Sequence, residues 1–193
     1  CPMYPTHQDT AAYAGDRPFI MCEYSHAMGN SNGSLADYWD TILTTPGLQG
    51  GFIWEWKDHG LYTTLPNGKK GFAYGGQFGE AIHDGNFVAD GLMSANLVPH
   101  PAMQEVEWVY RPATMEKKGA NLVIANRRSF TTLDDLAATW ELNVGGNVRG
   151  SGALEMPTVS PGQSVKLPMP CATPADPDAH LTVTFAQRAA TAW

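Results

Sequence analysis

Three features are scarce in this 193-residue sequence: cysteines, basic side chains and long apolar runs. The cysteines, Cys1, Cys22 and Cys171, lie far apart and form no CxxC pair, which argues against a disulfide framework or a zinc site and favours a reducing, cytoplasmic location. Only 12 Lys and Arg stand against 19 Asp and Glu, so the chain lacks the basic stripe that binding to nucleic acid requires. No apolar run approaches the roughly 20 residues that cross a bilayer, so we expect no membrane partner.

Charged residues are also sparse. They make up 16% of the chain, although six tryptophans are present. Because soluble domains typically have about 25% charged residues, we expect part of the surface to be covered by other parts of a longer protein. The chain begins with Cys1 and ends on Trp193 within a strand-like run, so we expect a fragment whose main partner is the remainder of the same polypeptide.

The first half of the chain has the pattern of an α/β protein. Apolar residues 19–24 predict a buried strand of the parallel type. Helical spacing of apolar side chains over residues 35–43 predicts an amphipathic helix, with Ser34 and Asp37 as its capping box. Residues 50–56 predict a second strand, so strand, helix and strand form a βαβ unit with parallel strands.

Residues 57–99 are rich in glycine and predict a long loop, with a turn at Pro66-Asn67-Gly68. Loops of this length inside a compact domain are usually functional. Pro101 fits the first position of another helix, which Arg111-Pro112 ends. We place a domain boundary there, between residues 1–112 and residues 113–193.

Beyond this boundary the apolar period switches to two. Residues 140–144 and 181–185 alternate between apolar and polar side chains, and residues 121–126 and 164–169 are further strand candidates. Turn sequences occur at residues 145–147 and 160–162. This half therefore predicts a β-sandwich.

Glu23 is the carboxylate most indicative of chemistry, because it stands at the carboxyl end of the first predicted strand. Barrels of alternating strands and helices place their catalytic groups there. A structural acid, satisfied by loop amides or an arginine, remains the alternative. His26, Asn30 and Asn32 follow within ten residues and supply the polar groups that polyol recognition requires, although His26 alone equally fits a structural role.

Glu55, at the end of the second predicted strand, is a second candidate. Adjacent strand ends lie about 5 Å apart, close to the roughly 5 to 5.5 Å between the carboxyl groups of retaining glycosidases. Strand parity opposes this pairing, because Trp54 and Glu55 point to opposite faces unless the strand has already bent. Trp54 itself either stacks on a sugar ring or fills the core.

The segment Cys22-Glu23-Tyr24-Ser25-His26-Ala27-Met28-Gly29-Asn30 resembles the nucleophile signature of family 2 glycoside hydrolases, in their β-galactosidase branch. The resemblance continues through residues 48–56, 73–79, 91–92 and 99–101. It implies an α/β plus all-β protein: the last strands and helices of a (β/α)8 TIM barrel, followed by an immunoglobulin-like β-sandwich. Residues 113–193 resemble that sandwich more weakly, with residues 190–193 near its end.

The resemblance also implies roles for single residues. Glu23 is implied as the nucleophile and Tyr4 as the tyrosine that hydrogen-bonds it. His26 is implied as a ligand of the sugar hydroxyls, Trp54 as a wall of the galactose site, and Met3 as a neighbour of the substrate. Glu55 then matches an acidic position that is not the catalytic acid.

Two metal ions are part of the resemblance. Phe87, through its main-chain carbonyl, and Asp90 resemble ligands of a sodium ion that touches the sugar. The family pattern has Asn where this sequence has Asp90, which keeps an oxygen ligand. The Mg²⁺ ligands and the general acid/base glutamate are implied on earlier barrel strands, upstream of this chain.

These implications lead us to expect a piece of a retaining β-galactosidase that releases terminal galactose from β-galactosides such as lactose through a covalent intermediate. We also expect the whole protein to form a homo-oligomer. Another family 2 specificity, β-glucuronidase or β-mannosidase, is the alternative within the enzyme class. The resemblance to these two enzymes covers only a shorter motif after the nucleophile. A non-catalytic carbohydrate-binding or interdomain module is the alternative from another class. Such modules need an aromatic platform on a sheet face, whereas Trp140 lies in an alternating strand that favours the core.

Overall fold

The structure is a computed structural model that describes residues 2–172 and 174–190. The chain divides into two compact units, Cys1–Tyr110 and Arg111–Trp193. The parts of the family resemblance that fall on Cys1 and on residues 191–193 lie outside the described residues.

The first unit is built on two parallel strands joined by a helix. Its elements are, in chain order, α1 (His7–Thr10), a 3-10 helix (Ala11–Tyr13), β1 (Phe19–Tyr24), α2 (Leu35–Thr44), β2 (Leu48–Ile53), β3 (Leu61–Thr64), β4 (Lys70–Ala73) and α3 (Ala102–Tyr110). Strands β1 and β2 pair in parallel, with Tyr24 opposite Ile53, while β3 and β4 form an antiparallel hairpin. The predicted βαβ unit is therefore confirmed.

Tyr24, the last residue of β1, holds the helices to the strands. Its ring is fully buried, and its hydroxyl accepts a 3.0 Å hydrogen bond from the Trp39 indole of α2 and lies 2.6 Å from the Tyr110 hydroxyl of α3. On the strand side, a Cβ at Gly51 would come within 2.9 Å of both Met21 and Tyr24, so β2 approaches β1 with no room for a side chain. This packing holds the ends of the two strands at one edge of the sheet.

Two sequence predictions in this unit are wrong. Strand β2 ends at Ile53 rather than at Trp56, because the main chain beyond it pairs with a loop: Glu55 N–H donates to the Asp90 carbonyl at 2.9 Å. The capping box also fails. Ser34 has a left-handed backbone, with φ 61°, and makes no capping bond; Glu105 of α3 accepts from Ala36 N–H at 3.3 Å instead.

The predicted loop over residues 57–99 contains the β3–β4 hairpin, so it is more structured than expected. The predicted turn is confirmed at the hairpin tip, where Gly68 has φ 78° and donates to the Leu65 carbonyl at 2.9 Å. The helix predicted after Pro101 is confirmed as α3.

The second unit consists of antiparallel strands. They are β5 (Ala113–Lys118), β6 (Asn121–Asn126), β7 (Leu136–Val144), β8 (Asn147–Leu154), β9 (Ser164–Pro168) and β10 (Ala179–Gln187). They form two three-stranded sheets, in the orders β5-β6-β9 and β10-β7-β8. Leu122 and Ile124 of the first sheet and Leu136 and Ala138 of the second belong to one buried apolar cluster.

Strands β5 and β8 have no counterpart among the predicted strands. The apolar signal of β8 is weak because Gly150 and Gly152 occupy it: the Trp140 ring of β7 lies over both, within 3.3 Å of the Cβ positions they lack. Trp140 is half-buried and packs against the apolar cluster, as its alternation predicted. In the part of the chain described, no helix is long and apolar enough to cross a membrane.

Candidate functional site

Glu23 lies near the carboxyl end of β1, and a preceding segment of chain runs beside it. Met3 and Glu23 form a parallel bridge, and Tyr4 N–H donates to the Glu23 carbonyl at 3.2 Å. Tyr4 has a left-handed backbone, with φ 54°, which is uncommon outside glycine. In this conformation its hydroxyl donates a 2.6 Å hydrogen bond to Oε2 of Glu23.

The surroundings of Tyr4 keep its hydroxyl protonated. Burial raises the pKa of the Tyr4 hydroxyl, and the hydrogen bond to Glu23 and the negative charges of Glu23 and Asp90 raise it further. The phenol therefore stays a neutral donor to the Glu23 carboxylate throughout the neutral pH range.

His26 lies just beyond the strand, after Ser25, whose φ is 50°. Its Nδ1 accepts a 3.3 Å hydrogen bond from the Met28 N–H, which assigns the proton of the neutral ring to Nε2. Nε2 lies 3.9 Å from Oδ2 of Asp90, and the ring makes an edge contact with Tyr4 at 5.5 Å between centroids. His26 thus lies between Asp90 and Tyr4, the residue that donates to Glu23.

Trp54 follows the end of β2 and is 38% exposed, so it is not a core residue. Its carbonyl accepts from Ala27 N–H at 2.7 Å, and its indole Nε1 donates to Oδ2 of Asp90 at 3.3 Å. A cis peptide bond joins Trp54 to Glu55. The Glu55 carboxylate contacts His59, with 2.9 Å between Oε2 and Nε2. The side chains of Trp54 and Glu55 therefore have different partners.

Asp90 is 1% exposed, and its two oxygens differ in their contacts. Oδ2 accepts from Trp54, whereas Oδ1 has no hydrogen-bond partner among the described residues. A buried carboxylate oxygen without a donor is costly, and a cation would satisfy it. Asp90 therefore fits the sodium-ligand role, and nearby Phe87 places its ring 6.0 Å from that of His26.

Within residues 2–172 and 174–190, no group of three His, Cys, Asp or Glu side chains is arranged to hold a metal ion.

The structure thus brings together the sequence-predicted residues Tyr4, Glu23, His26, Trp54 and Asp90 through direct contacts, with Met3 and Phe87 at the margin and both more than half exposed. Their individual roles remain predictions.

Two further side chains received no role from the sequence, although His100 lies in the segment 99–101 that carries part of the family resemblance. Asp58 accepts from the N–H of Gly91, directly after Asp90, and His100 bonds the Gly91 carbonyl. They lie in a predicted loop and beside a helix start, where no periodicity marks them.

Comparison with known proteins assigns both parts of the chain. Residues 4–115 match the family described as glycosyl hydrolases family 2, TIM barrel domain, and residues 122–193 match β-galactosidase, domain 4. The β-galactosidase of Actinobacillus pleuropneumoniae is 44% identical over 86% of this chain, and that of an Arthrobacter species is 38% identical over 92%. The β-galactosidase of Photobacterium profundum is 35% identical over the whole chain.

These relatives are much longer, and the chain spans 16%, 18% and 19% of their respective lengths. This chain is also similar to a solved structure of Bacteroides uniformis β-glucuronidase 2, covalently bound to cyclophellitol-6-carboxylate aziridine. The match covers 88% of this chain and 22% of the glucuronidase chain. It has a TM-score of 0.31 and 12% identity, too low to bear on fold or function. The match over residues 4–115 extends over more than half of the sequence, and the chain therefore belongs to glycoside hydrolase family 2.

Proposed function

We propose that the protein carrying this chain is a retaining β-galactosidase in which Glu23 is the nucleophile. The observation that carries this proposal is the 2.6 Å hydrogen bond from Tyr4 to Oε2 of Glu23, at the end of a parallel strand. Its wider support is that His26, Trp54 and Asp90 gather around the same strand ends. The similarity to β-galactosidases over most of the chain supports the choice of sugar.

In this proposal, one carboxylate oxygen of Glu23 attacks the anomeric carbon while the bond to the aglycone oxygen breaks. Tyr4 holds Oε2, which leaves Oε1 to form the covalent bond. A general acid from the remainder of the polypeptide protonates the departing oxygen. Water then attacks the anomeric carbon and gives its proton to the same group, which lost its own in the first step. The bond to Glu23 breaks, so galactose leaves and the Glu23 carboxylate is restored.

Sugar binding falls to the neighbouring side chains. The Nε2–H of His26 donates to a sugar hydroxyl, the exposed ring of Trp54 covers the apolar face of the galactose, and Met3 lies beside it. Phe87, through its carbonyl, and Asp90 would hold a sodium ion, which would supply positive charge near the sugar oxygens. A magnesium ion belongs to residues elsewhere in the polypeptide.

The architecture and assembly are part of the same proposal. We assign residues 1–112 to the carboxyl-terminal part of a TIM barrel and residues 113–193 to an immunoglobulin-like sandwich. The single apolar cluster that draws on both three-stranded sheets supports the sandwich. The family resemblance supports a homo-oligomer. The widely spaced cysteines support a cytoplasmic location.

Covalent trapping tests the function. The full-length protein is incubated with a 2-fluoro-galactoside, and the sugar is located by peptide mass spectrometry. We expect the label on the peptide that contains Glu23, and none on the Glu23→Gln variant. Label on Glu55 would contradict the assignment, and faster turnover of a glucuronide or mannoside than of a galactoside would contradict the specificity.

A further inference from the structure

Gly91, the residue that follows Asp90, has both of its main-chain polar groups bound by charged or titratable side chains. Oδ1 of Asp58 accepts from the Gly91 N–H at 2.8 Å, and Nδ1 of His100 lies 2.9 Å from the Gly91 carbonyl oxygen. We call Asp58, Gly91 and His100 the Gly91 clamp. The mechanism above does not use it.

The contacts of the clamp determine which of its groups donate hydrogen bonds and which accept them. A carbonyl oxygen only accepts hydrogen bonds, so Nδ1 of His100 must donate to the Gly91 carbonyl. Nε2 of the same ring faces Asp58, 3.7 Å from Oδ2. The carboxylate therefore meets the N–H of Gly91 and the imidazole meets the carbonyl of the same residue, so exchanging Asp58 and His100 would break both bonds.

The clamped segment also lies against main chain. A Cβ at Gly91 would collide with the main-chain nitrogen of Asp58 and the carbonyl carbon of Lys57, so only glycine fits. On either side of it, Glu55 N–H donates to the Asp90 carbonyl at 2.9 Å and Leu92 N–H donates to the Glu55 carbonyl at 2.8 Å. The backbone of Asp90 is thus tied to the residue that follows Trp54.

We propose that Asp58 and His100 are positioning residues for Asp90. By holding the N–H and the carbonyl of Gly91, they set the direction in which the Asp90 side chain leaves the backbone. The carboxylate then bonds the Trp54 indole with Oδ2 and lies 3.9 Å from His26. The positioning of Asp90 by these two residues does not depend on which reaction the protein catalyses. The effect of that positioning on sugar binding rests on the proposed function.

The first test removes the His100 donor and then restores it. In the full-length protein, His100→Phe deletes the hydrogen bond, whereas His100→Asn presents an amide N–H near the position of Nδ1. We expect His100→Phe to raise KM for a galactoside about tenfold with a smaller change in kcat, and His100→Asn to recover most of the loss. Asp58→Ala against Asp58→Asn is the matching comparison, and it is used if His100→Phe does not fold.

The second test asks whether His100 acts through Asp90. In an Asp90→Ala background, we expect His100→Phe to change KM less than about twofold, because the group it positions is gone. Equal effects of His100→Phe in both backgrounds would overturn the proposal, since a general structural role would persist without Asp90.

A third measurement does not depend on activity. If the clamp aims Asp90 at the indole of Trp54, His100→Phe should shift the tryptophan emission of the folded protein, and this shift should vanish in a Trp54→Phe background. A shift that survives in that background would overturn the proposal. If the wild-type protein hydrolyses no galactoside, the proposed function fails, and the emission comparison still decides the positioning role.

Discussion

The hydroxyl of Tyr4 donates a 2.6 Å hydrogen bond to Oε2 of Glu23. Two backbone features produce this contact: the left-handed conformation of Tyr4 and the parallel bridge between Met3 and Glu23. Because the pKa of the Tyr4 hydroxyl is raised by burial and by Glu23, the donor is retained at neutral pH. The bond orients the carboxylate and lowers its charge density, which bears on both steps of the proposed reaction.

Tyr4→Phe should slow the release of galactose more than its transfer to the enzyme. A hydrogen bond to a charged group contributes about 1.5 to 3 kcal/mol, which corresponds to roughly a tenfold to hundredfold slower step. Stopped-flow assays with a chromogenic galactoside should show a burst of aglycone followed by slow turnover. Equal slowing of both steps would instead indicate that the tyrosine only supports the local structure.

Trp54→Phe should weaken substrate binding without shifting the pH profile of kcat/KM. The smaller ring loses apolar contact, and Trp54 carries no titrating group. Steady-state kinetics measure both KM and the pH profile of kcat/KM. The pH range should extend on each side of neutral until kcat/KM falls. A displaced limb would show that the indole, through its 3.3 Å bond to Asp90, tunes a neighbouring ionisation.

Glu55→Gln should cost far less activity than Glu23→Gln, because the Glu55 carboxylate is paired with His59 at 2.9 Å. Glu23→Gln replaces the proposed nucleophile with an unreactive amide of similar shape and should abolish most turnover. The measurement is kcat for both variants, with added azide as a rescue nucleophile. Azide rescue of Glu55→Gln alone would reverse the assignment of the two glutamates.

Gly91→Ala should destabilise the first unit, because its methyl group would collide with the main-chain nitrogen of Asp58. Overpacking of this kind typically costs about 1 to 3 kcal/mol of unfolding free energy. Gly33→Ala is the matched control, since no atom lies within 4 Å of its Cβ position. Limited proteolysis should cleave the Gly91→Ala protein faster; equal rates for the two variants would show that the segment can yield.

Asp135 and Arg128 provide a pH-dependent contact in the second unit. Arg128 donates to both Asp135 oxygens, at 2.6 and 2.9 Å, and this hydrogen bonding lowers the pKa of the Asp135 carboxyl. A lowered pKa stabilises the fold at neutral pH, and the contribution is lost as the pH falls through the folded-state value, below about 3.8.

Asp135→Asn should therefore speed hydrogen exchange near residues 128–135 at neutral pH. Because the side chain is about half exposed, the loss should be at most about 1 kcal/mol. Once the pH is low enough to protonate Asp135 in the folded protein, the variant and the wild type should exchange alike. A difference that persists in acid would assign the effect to packing rather than to charge.

Local patterns in the sequence determined most secondary structure. Spacings of about 3.6 and of two residues depend only on which side chains must be buried together, so they predicted α2 and β10 without knowledge of their neighbours. A continuous apolar run predicted β1 in the same way. The residues around Glu23 indicated the family, because a resemblance over a segment of that length is unlikely to arise by chance. Local patterns were weakest where a distant partner supplies the packing, as where Trp140 covers the glycines of β8.

The cap of α2 and the site geometry were decided by the tertiary structure. Ser34 and Asp37 have the spacing of a capping box, yet Glu105, which is 69 residues from Ala36 in sequence, accepts the helix N–H. The orphaned oxygen of Asp90 and the clamp formed by Asp58 and His100 depend in the same way on contacts between separate segments. A one-dimensional pattern carries hydrophobicity and backbone preference, whereas a hydrogen bond between distant residues needs a direction and a distance, and only the folded chain provides these.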